Sequence, residues 1–70
     1  RKKVDGKTAE EWFNKGIALD DLGRYEEAIE CYDKALEINP NVARPWVSKG
    51  DTLVSLGRYN EAIECFDKAL

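Results

Sequence analysis

Apolar and small residues recur along this chain at the three- and four-residue spacing that places side chains on one face of a helix. From residue 9 onward, the pattern divides into short stretches separated by glycine or by a proline-containing segment. The first stretch carries the stripe Trp12, Gly16, Leu19 and Leu22. The second carries the stripe Ala28, Ile29, Tyr32, Ala35 and Leu36. The pattern predicts a pair of helices, and a second pair follows it.

Residues that flank the stripes predict where the helices begin and end. Thr8 and Glu11 have the spacing of a capping box, so we expect the first helix to begin after Thr8. Gly23 is expected to end it, because glycine adopts the left-handed conformation in which many helices terminate. The second helix is expected to end before Pro40, since proline disfavours a helical residue ahead of it.

The second half of the chain repeats the first at a distance of 34 residues. When residues 9–36 are aligned with residues 43–70, 18 of the 28 paired residues are identical. Trp12 aligns with Trp46, and Gly16 aligns with Gly50. A fixed period of this length is typical of arrays in which one helical hairpin is repeated.

Small residues inside the helices predict close packing. Gly16 and Ala28 recur as Gly50 and Ala62, and we expect each pair to let two helices approach closely. A glycine inside a helix costs about 1 kcal/mol relative to alanine. Its recurrence at the same place in both repeats indicates that tight packing offsets this cost.

These residues resemble the tetratricopeptide repeat family. The matching positions are Trp12, Gly16, Ala28, Tyr32, Ala35 and Pro40, then Trp46, Gly50, Ala62, Phe66 and Ala69. The resemblance implies an all-α fold of tandem antiparallel helix-turn-helix repeats, stacked as a right-handed α-solenoid with two units. It also implies a protein–protein interaction module, in which the first helices line a concave groove that holds a peptide or a helix of a partner.

We expect the chain to divide into three parts. Residues 1–8 form a basic extension that we interpret as the end of a preceding repeat. Residues 9–42 form the first repeat, and residues 43–70 form a second repeat that is incomplete at its C-terminal end. The division predicts that the chain is cut from a longer array.

The resemblance places the binding groove on the face of each first helix opposite the stripe that packs inward. The groove residues are expected to be Phe13, Ile17, Asp20 and Asp21 in the first unit, and Val47, Asp51 and Val54 in the second. Exposed apolar side chains bordered by carboxylates would suit a short apolar segment that carries lysine or arginine. The alternative is that the apolar residues pack against a neighbouring helix and that the acids are only solvated.

One subtype of the family grips the C-terminal carboxylate of chaperones with polar groove residues. Phe13 and Ile17 occupy two of those positions in the first unit, and Val47 and Asp51 occupy them in the second. We therefore do not expect that activity here.

Charge, apolar runs and cysteine content argue against several other partners and locations. The net charge is −3, whereas nucleic-acid binding needs a basic face, so no nucleic acid is expected as a partner. No apolar run approaches the length of a membrane span, and no membrane partner is expected. Cys31 and Cys65 occupy equivalent places in stacked units and are predicted to stay free, which favours a reducing, cytoplasmic location.

No catalytic chemistry is expected either. The chain has no histidine, which excludes Ser-His and Cys-His nucleophile pairs. We expect no cofactor, and two cysteines without histidine make a poor metal site.

Two competing functions remain. The chain could be a self-assembling structural unit, because two repeats lack the capping helices that normally protect the ends of an array. Its copies would then meet end to end, or by exchanging helices, around Ala62, Phe66, Ala69 and Leu70. A further alternative is the regulatory part of a larger enzyme.

Overall fold

The computed structural model describes residues 2–70 and contains four α-helices within them. They are α1 (Ala9–Asp21), α2 (Tyr25–Ile38), α3 (Ala43–Ser55) and α4 (Tyr59–Ala69). Each helix packs against the next, and α1 also contacts α3. The result is a thin slab of 33 × 27 × 13 Å, in which two helical hairpins lie side by side. The predicted all-α repeat fold is confirmed.

Local sequence determines the helix boundaries as expected. The backbone N–H of Glu11 donates to Thr8 Oγ1 at 3.3 Å, and the backbone N–H of Thr8 donates to Glu11 Oε1 at 2.8 Å. This capping box lowers the pKa of Glu11, because the Thr8 hydrogen bonds stabilise its carboxylate. Gly23 and Gly57 follow α1 and α3 with φ angles of +79° and +77°, the left-handed conformation predicted for the turns.

The core consists of two clusters that meet between the hairpins. The first cluster joins α1 to α2 and contains Trp12, Phe13, Ala28, Cys31, Tyr32 and Ala35. The second contains Ile29, Leu53, Ala62 and Cys65. Because Ile29 lies on α2 and the rest of its cluster lies on α3 and α4, the second hairpin buries its core partly against the first.

The glycines of the first helices face aromatic rings. A Cβ atom on Gly16 would lie 2.5 Å from Cε1 of Tyr32, and a Cβ atom on Gly50 would lie 2.5 Å from Cε1 of Phe66. The close approach predicted for these glycines is therefore present. The side chain against each glycine is an aromatic ring of the following helix.

Both tryptophans hold the segment that precedes their helix. The indole N–H of Trp12 donates to the carbonyl of Val4 at 2.7 Å, and that of Trp46 donates to the carbonyl of Pro40 at 2.8 Å. An ion pair of 2.7 Å between Lys34 and Asp5 also ties residues 4–7 to α2. The N-terminal segment therefore packs on the first repeat. Its origin as the end of a preceding repeat stays a prediction.

Candidate protein-docking surface

The two first helices are joined along their facing sides. Near the N-terminal end of α3, the Arg44 guanidinium lies 4.8 Å from the centre of the Phe13 ring on α1. Near the C-terminal end of α1, Asp20 accepts a hydrogen bond of 2.7 Å from the Thr52 hydroxyl. These contacts hold α1 and α3 side by side, so residues on the exposed face of both helices form one surface.

Phe13 does not belong to this surface, and the prediction that it is exposed is wrong. Only 9% of Phe13 is accessible, and the centre of its ring lies 5.8 Å from that of Tyr32. Adjacent residues on a helix point about 100° apart. Because α1 is covered on one side by α2 and on another by α3, both Trp12 and Phe13 become buried. The alternative interpretation of Phe13, packing against a neighbouring helix, is the one that the structure shows.

Asp20 likewise joins the helices instead of facing a partner freely. Its Oδ2 atom accepts one hydrogen bond from the Tyr32 hydroxyl at 3.1 Å and another from Thr52. The Thr52 hydroxyl also lies 2.9 Å from the carbonyl of Ser48, but it has a single proton, and the shorter contact is to the carboxylate. Burial raises the pKa of the Tyr32 phenol, and the nearby Asp20 charge raises it further. Tyr32 therefore stays protonated and donates.

The remaining predicted residues are accessible. Val47 is 40% exposed, Val54 is 43% exposed, and Asp21 and Asp51 are also exposed, whereas Ile17 is half-buried. Val47, Asp51 and Val54 lie on one face of α3, because they are spaced by four and three residues. We call this set the α1/α3 strip: Ile17, Asp21, Val47, Asp51 and Val54.

Sequence reasoning missed a cleft whose lining contains no residue of the strip. It has a volume of about 460 Å³ and lies between the N-terminal parts of α1 and α3. Its apolar wall includes Ala9, Phe13, Val42 and Pro45, and Arg44 lies at its side. No local pattern could have revealed it, because its lining comes from the N-terminal segment, α1, the C-terminal part of α2 and its following connection, and α3. The cleft offers room for an apolar side chain one helical turn from Ile17.

The two cations of α3 lie on different sides of the helix. Arg44 lies beside Phe13 on α1, whereas Lys49 is engaged on the α2 side. Lys49 forms an ion pair of 2.6 Å with Asp33 on α2, and its ammonium lies 5.9 Å from the centre of the Trp46 ring.

The charged members of the strip are the carboxylates of Asp21 and Asp51, and the Arg44 guanidinium borders the strip one helical turn before Val47. The two carboxylates attract positively charged groups.

Both cysteines are free, as predicted, and both are buried. Cys31 is 4% exposed in the first core cluster, and Cys65 is 5% exposed in the second. Burial raises the pKa of each thiol, which lowers the fraction of reactive thiolate.

Among residues 2–70, no group of three or more histidine, cysteine, aspartate or glutamate side chains is placed to hold a metal ion. Within the same residues, none of the four helices is long and apolar enough to cross a membrane.

Comparison with known proteins identifies the family. Two models of the tetratricopeptide repeat match the chain, one over residues 9–42 and the other over residues 31–64. Together they extend from the start of α1 into α4. The chain belongs to the tetratricopeptide repeat family and is a protein-interaction repeat module, of a kind that is typically not enzymatic.

Similar proteins are longer than this chain. The crystal structure of MamA superposes on 87% of the chain with a TM-score of 0.85 and 33% sequence identity, and the match covers 36% of MamA. An uncharacterized protein of Methanocaldococcus jannaschii is 52% identical over 31 residues, which are 44% of this chain and 36% of that protein. Each match thus covers about a third of the length of the similar protein.

Proposed function

We propose that the α1/α3 strip docks a short segment of a partner protein that combines apolar residues with lysine or arginine. The observation that carries this proposal is the exposure of Val47 and Val54 on either side of Asp51. The apolar side chains supply contact area, and the carboxylate selects for a cation between them. Ile17 and Asp21 extend the same chemistry onto α1.

The surrounding contacts support a preformed surface. Asp20, Thr52 and Tyr32 connect α1, α2 and α3, so the strip rests on helices that are fixed relative to one another. A rigid surface loses little conformational entropy when a ligand binds. The role that we propose is therefore binding without catalysis. The location that we propose is the cytoplasm, because buried, free thiols favour reducing conditions.

A peptide titration followed by NMR tests the proposal. Two ten-residue peptides with the same apolar residues are compared, one with interspersed lysines and the other with glutamates. We expect the lysine peptide to shift the amide signals of residues 17–21 and 47–54, and added salt to weaken its binding. Equal binding of both peptides, or shifts confined to α2 and α4, would contradict the proposal.

Charge reversal within the strip gives a second readout. Asp51→Lys replaces attraction with repulsion at an exposed position, and we expect it to weaken binding of the lysine peptide by about three- to tenfold. Glu37→Lys is the matched control, because it makes the same charge change at an exposed position near the end of α2. The control should bind as the parent does, apart from a small effect of net charge.

A further inference from the structure

No other described residue covers the outer face of α4, and three of its side chains are apolar. Tyr59 is 62% exposed, Ile63 is 56% exposed, and Leu70 is fully exposed. Two residues predicted to lie at this end do not: Ala62 is 1% exposed, and Phe66 is half-buried below Gly50. We define the α4 outer face by Tyr59, Ile63, Asp67 and Leu70.

The same positions in the first repeat already form an interface. One repeat earlier, Ile29 is 8% exposed, Leu36 is 6% exposed, and Tyr25 is half-buried. They are covered because α3 and its following turn pack against α2. Ile29 shares a cluster with Leu53, and Leu56 packs against that cluster. The α4 outer face therefore has the side chains of a surface that receives a first helix.

Charges define the register of that packing. Lys49 on α3 pairs with Asp33 on α2 at 2.6 Å. The counterpart of Asp33 on α4 is Asp67, and the counterpart of Lys49 on α1 is Lys15. Both counterparts are exposed. The two ends of the chain thus carry the two halves of an ion pair that the structure forms between its repeats.

Apolar residues on α1 complete the complementary surface. Leu19 is the counterpart of Leu53 and is half-buried, whereas Leu53 is 1% exposed. Leu22 is the counterpart of the half-buried Leu56 and is 71% exposed. The N-terminal segment covers Trp12 but leaves Leu22 and Lys15 accessible.

We propose that the α4 outer face of one copy of this chain binds α1 of a second copy, head to tail, in the register in which α3 packs on α2. Leu19 and Leu22 of the second copy cover Ile63, and Lys15 lies beside Asp67.

This interface meets the α1/α3 strip at Val47 and Val54, the counterparts of Phe13 and Asp20. The two proposals are tested separately when peptide binding is measured at concentrations at which the chain is monomeric. Failure of the self-association would leave the docking proposal intact, and failure of the docking proposal would leave this one intact.

Two differences make the contact between copies weaker than the contact between repeats. The Arg58–Glu26 ion pair of 3.3 Å has no counterpart, because Asn60 stands one repeat after Glu26. The Asp20–Thr52 hydrogen bond is replaced by an apolar pair, Val54 with Ala18. Association is therefore reversible and depends on concentration.

Sedimentation equilibrium distinguishes this assembly from the alternatives. A head-to-tail contact leaves one free end on every chain, so the assembly grows without closing. We expect the average mass to rise continuously between micromolar and millimolar concentrations. A constant monomer mass would show that the face does not receive a second copy, and a plateau at two chains would show a closed, symmetric dimer. Either result overturns the proposal.

Two single substitutions then test which faces meet. Leu22→Asp places a charge on the α1 face of the proposed interface, and Ile63→Asp places a charge on the α4 face. Each variant alone should remain a monomer, but an equal mixture should reach the mass of two chains, because one intact face of each kind remains. A mixture that stays monomeric overturns the proposal. Val42→Asp, which charges a 38% exposed valine away from both faces, should associate like the parent.

Circular dichroism checks that the variants keep their helices, as expected for substitutions at exposed positions. If either variant unfolds, the Lys15–Asp67 pair provides the test. Lys15→Glu and Asp67→Lys should each weaken association by about three- to tenfold, and the double variant should restore it. Failure of the double variant to recover overturns the proposed register.

Discussion

Phe13 and Val47 occupy the same position in the two repeats, but their surroundings differ. Phe13 is 9% exposed, with Tyr32 on one side and the Arg44 guanidinium on another. Val47 is 40% exposed, because no described helix lies beyond α3 to cover it as α3 covers α1. The first position therefore contributes to stability, and the second remains accessible to a partner.

Truncation of these two side chains should separate stability from binding. We expect Phe13→Ala to lower the free energy of unfolding by about 3–5 kcal/mol, because it leaves a cavity in the first core cluster. Val47→Ala, the matched control at the exposed counterpart, should cost less than about 1 kcal/mol. Urea unfolding followed by circular dichroism measures both. Similar losses in the two variants would mean that Phe13 is not part of the core.

The difference between Phe13 and Thr8 shows what the sequence could and could not predict. Thr8 and Glu11 form a cap within one helical turn, so their roles follow from spacing alone. The surroundings of Phe13 depend on Arg44, and those of Asp20 depend on Thr52, and both partners lie in the next repeat. The resemblance placed both Phe13 and Asp20 on an exposed groove face, and nothing in their spacing could show that α2 and α3 cover them.

At the scale of the helix pair, glycine and an aromatic ring determine how closely the two helices approach. Tyr32 is fully buried and its hydroxyl is held by Asp20, so its ring cannot move away from Gly16. Phe66 lies against Gly50 in the same way, but it is only half-buried and has no hydroxyl. The two hairpins therefore differ in how much added volume they tolerate.

Alanine at each glycine should reveal that difference. Gly16→Ala is expected to destabilise the fold by about 1–3 kcal/mol, because the new Cβ atom overlaps a fixed ring. Gly50→Ala should cost less, since Phe66 can shift outward and alanine gains about 1 kcal/mol in helix propensity. Urea unfolding of both variants gives the comparison. Ala18→Gly at an exposed position of α1 measures the propensity effect alone, and a stabilised Gly16→Ala variant would disprove the fixed-ring explanation.

Repetition was the feature of the sequence that predicted the architecture, since one hairpin specified twice must pack against its own copy. Repetition could not predict which member of each equivalent pair is exposed and which is buried. Leu22 and Leu56 have the same sequence context, yet they differ in exposure. Leu56 packs against the cluster that contains Ile29 of the first repeat, whereas no described residue covers Leu22 in this way. The environment of each position therefore depends on which helices lie beside it. The exposure of the α1/α3 strip and of the α4 outer face depends on neighbouring helices in the same way.

At the scale of the whole molecule, the first hairpin is covered on two sides and the second on one. The segment of residues 4–7 and α3 both pack against the first hairpin, whereas the outer face of α4 is open. Elements at the edge of a repeat array open more readily than internal ones, because each repeat is stabilised by its neighbours. The second core cluster should therefore open locally more often than the first.

Cys31 and Cys65 report on these two clusters. Both thiols are at most 5% exposed and burial raises the pKa of both, so alkylation requires local opening. In single-cysteine variants, Cys31→Ala and Cys65→Ala, we expect Cys65 to react at least about tenfold faster than Cys31, which corresponds to an opening that costs about 1.4 kcal/mol less. Mass spectrometry of samples taken over time measures the rates at concentrations low enough to keep the chain monomeric. In concentrated urea the chain is unfolded and both thiols are accessible. The two alkylation rates should then be equal, apart from the effect of the neighbouring sequence. Equal rates in the folded protein would instead mean that the four helices open as one cooperative unit. If a second copy covers α4, a higher protein concentration should slow alkylation of Cys65 but not of Cys31.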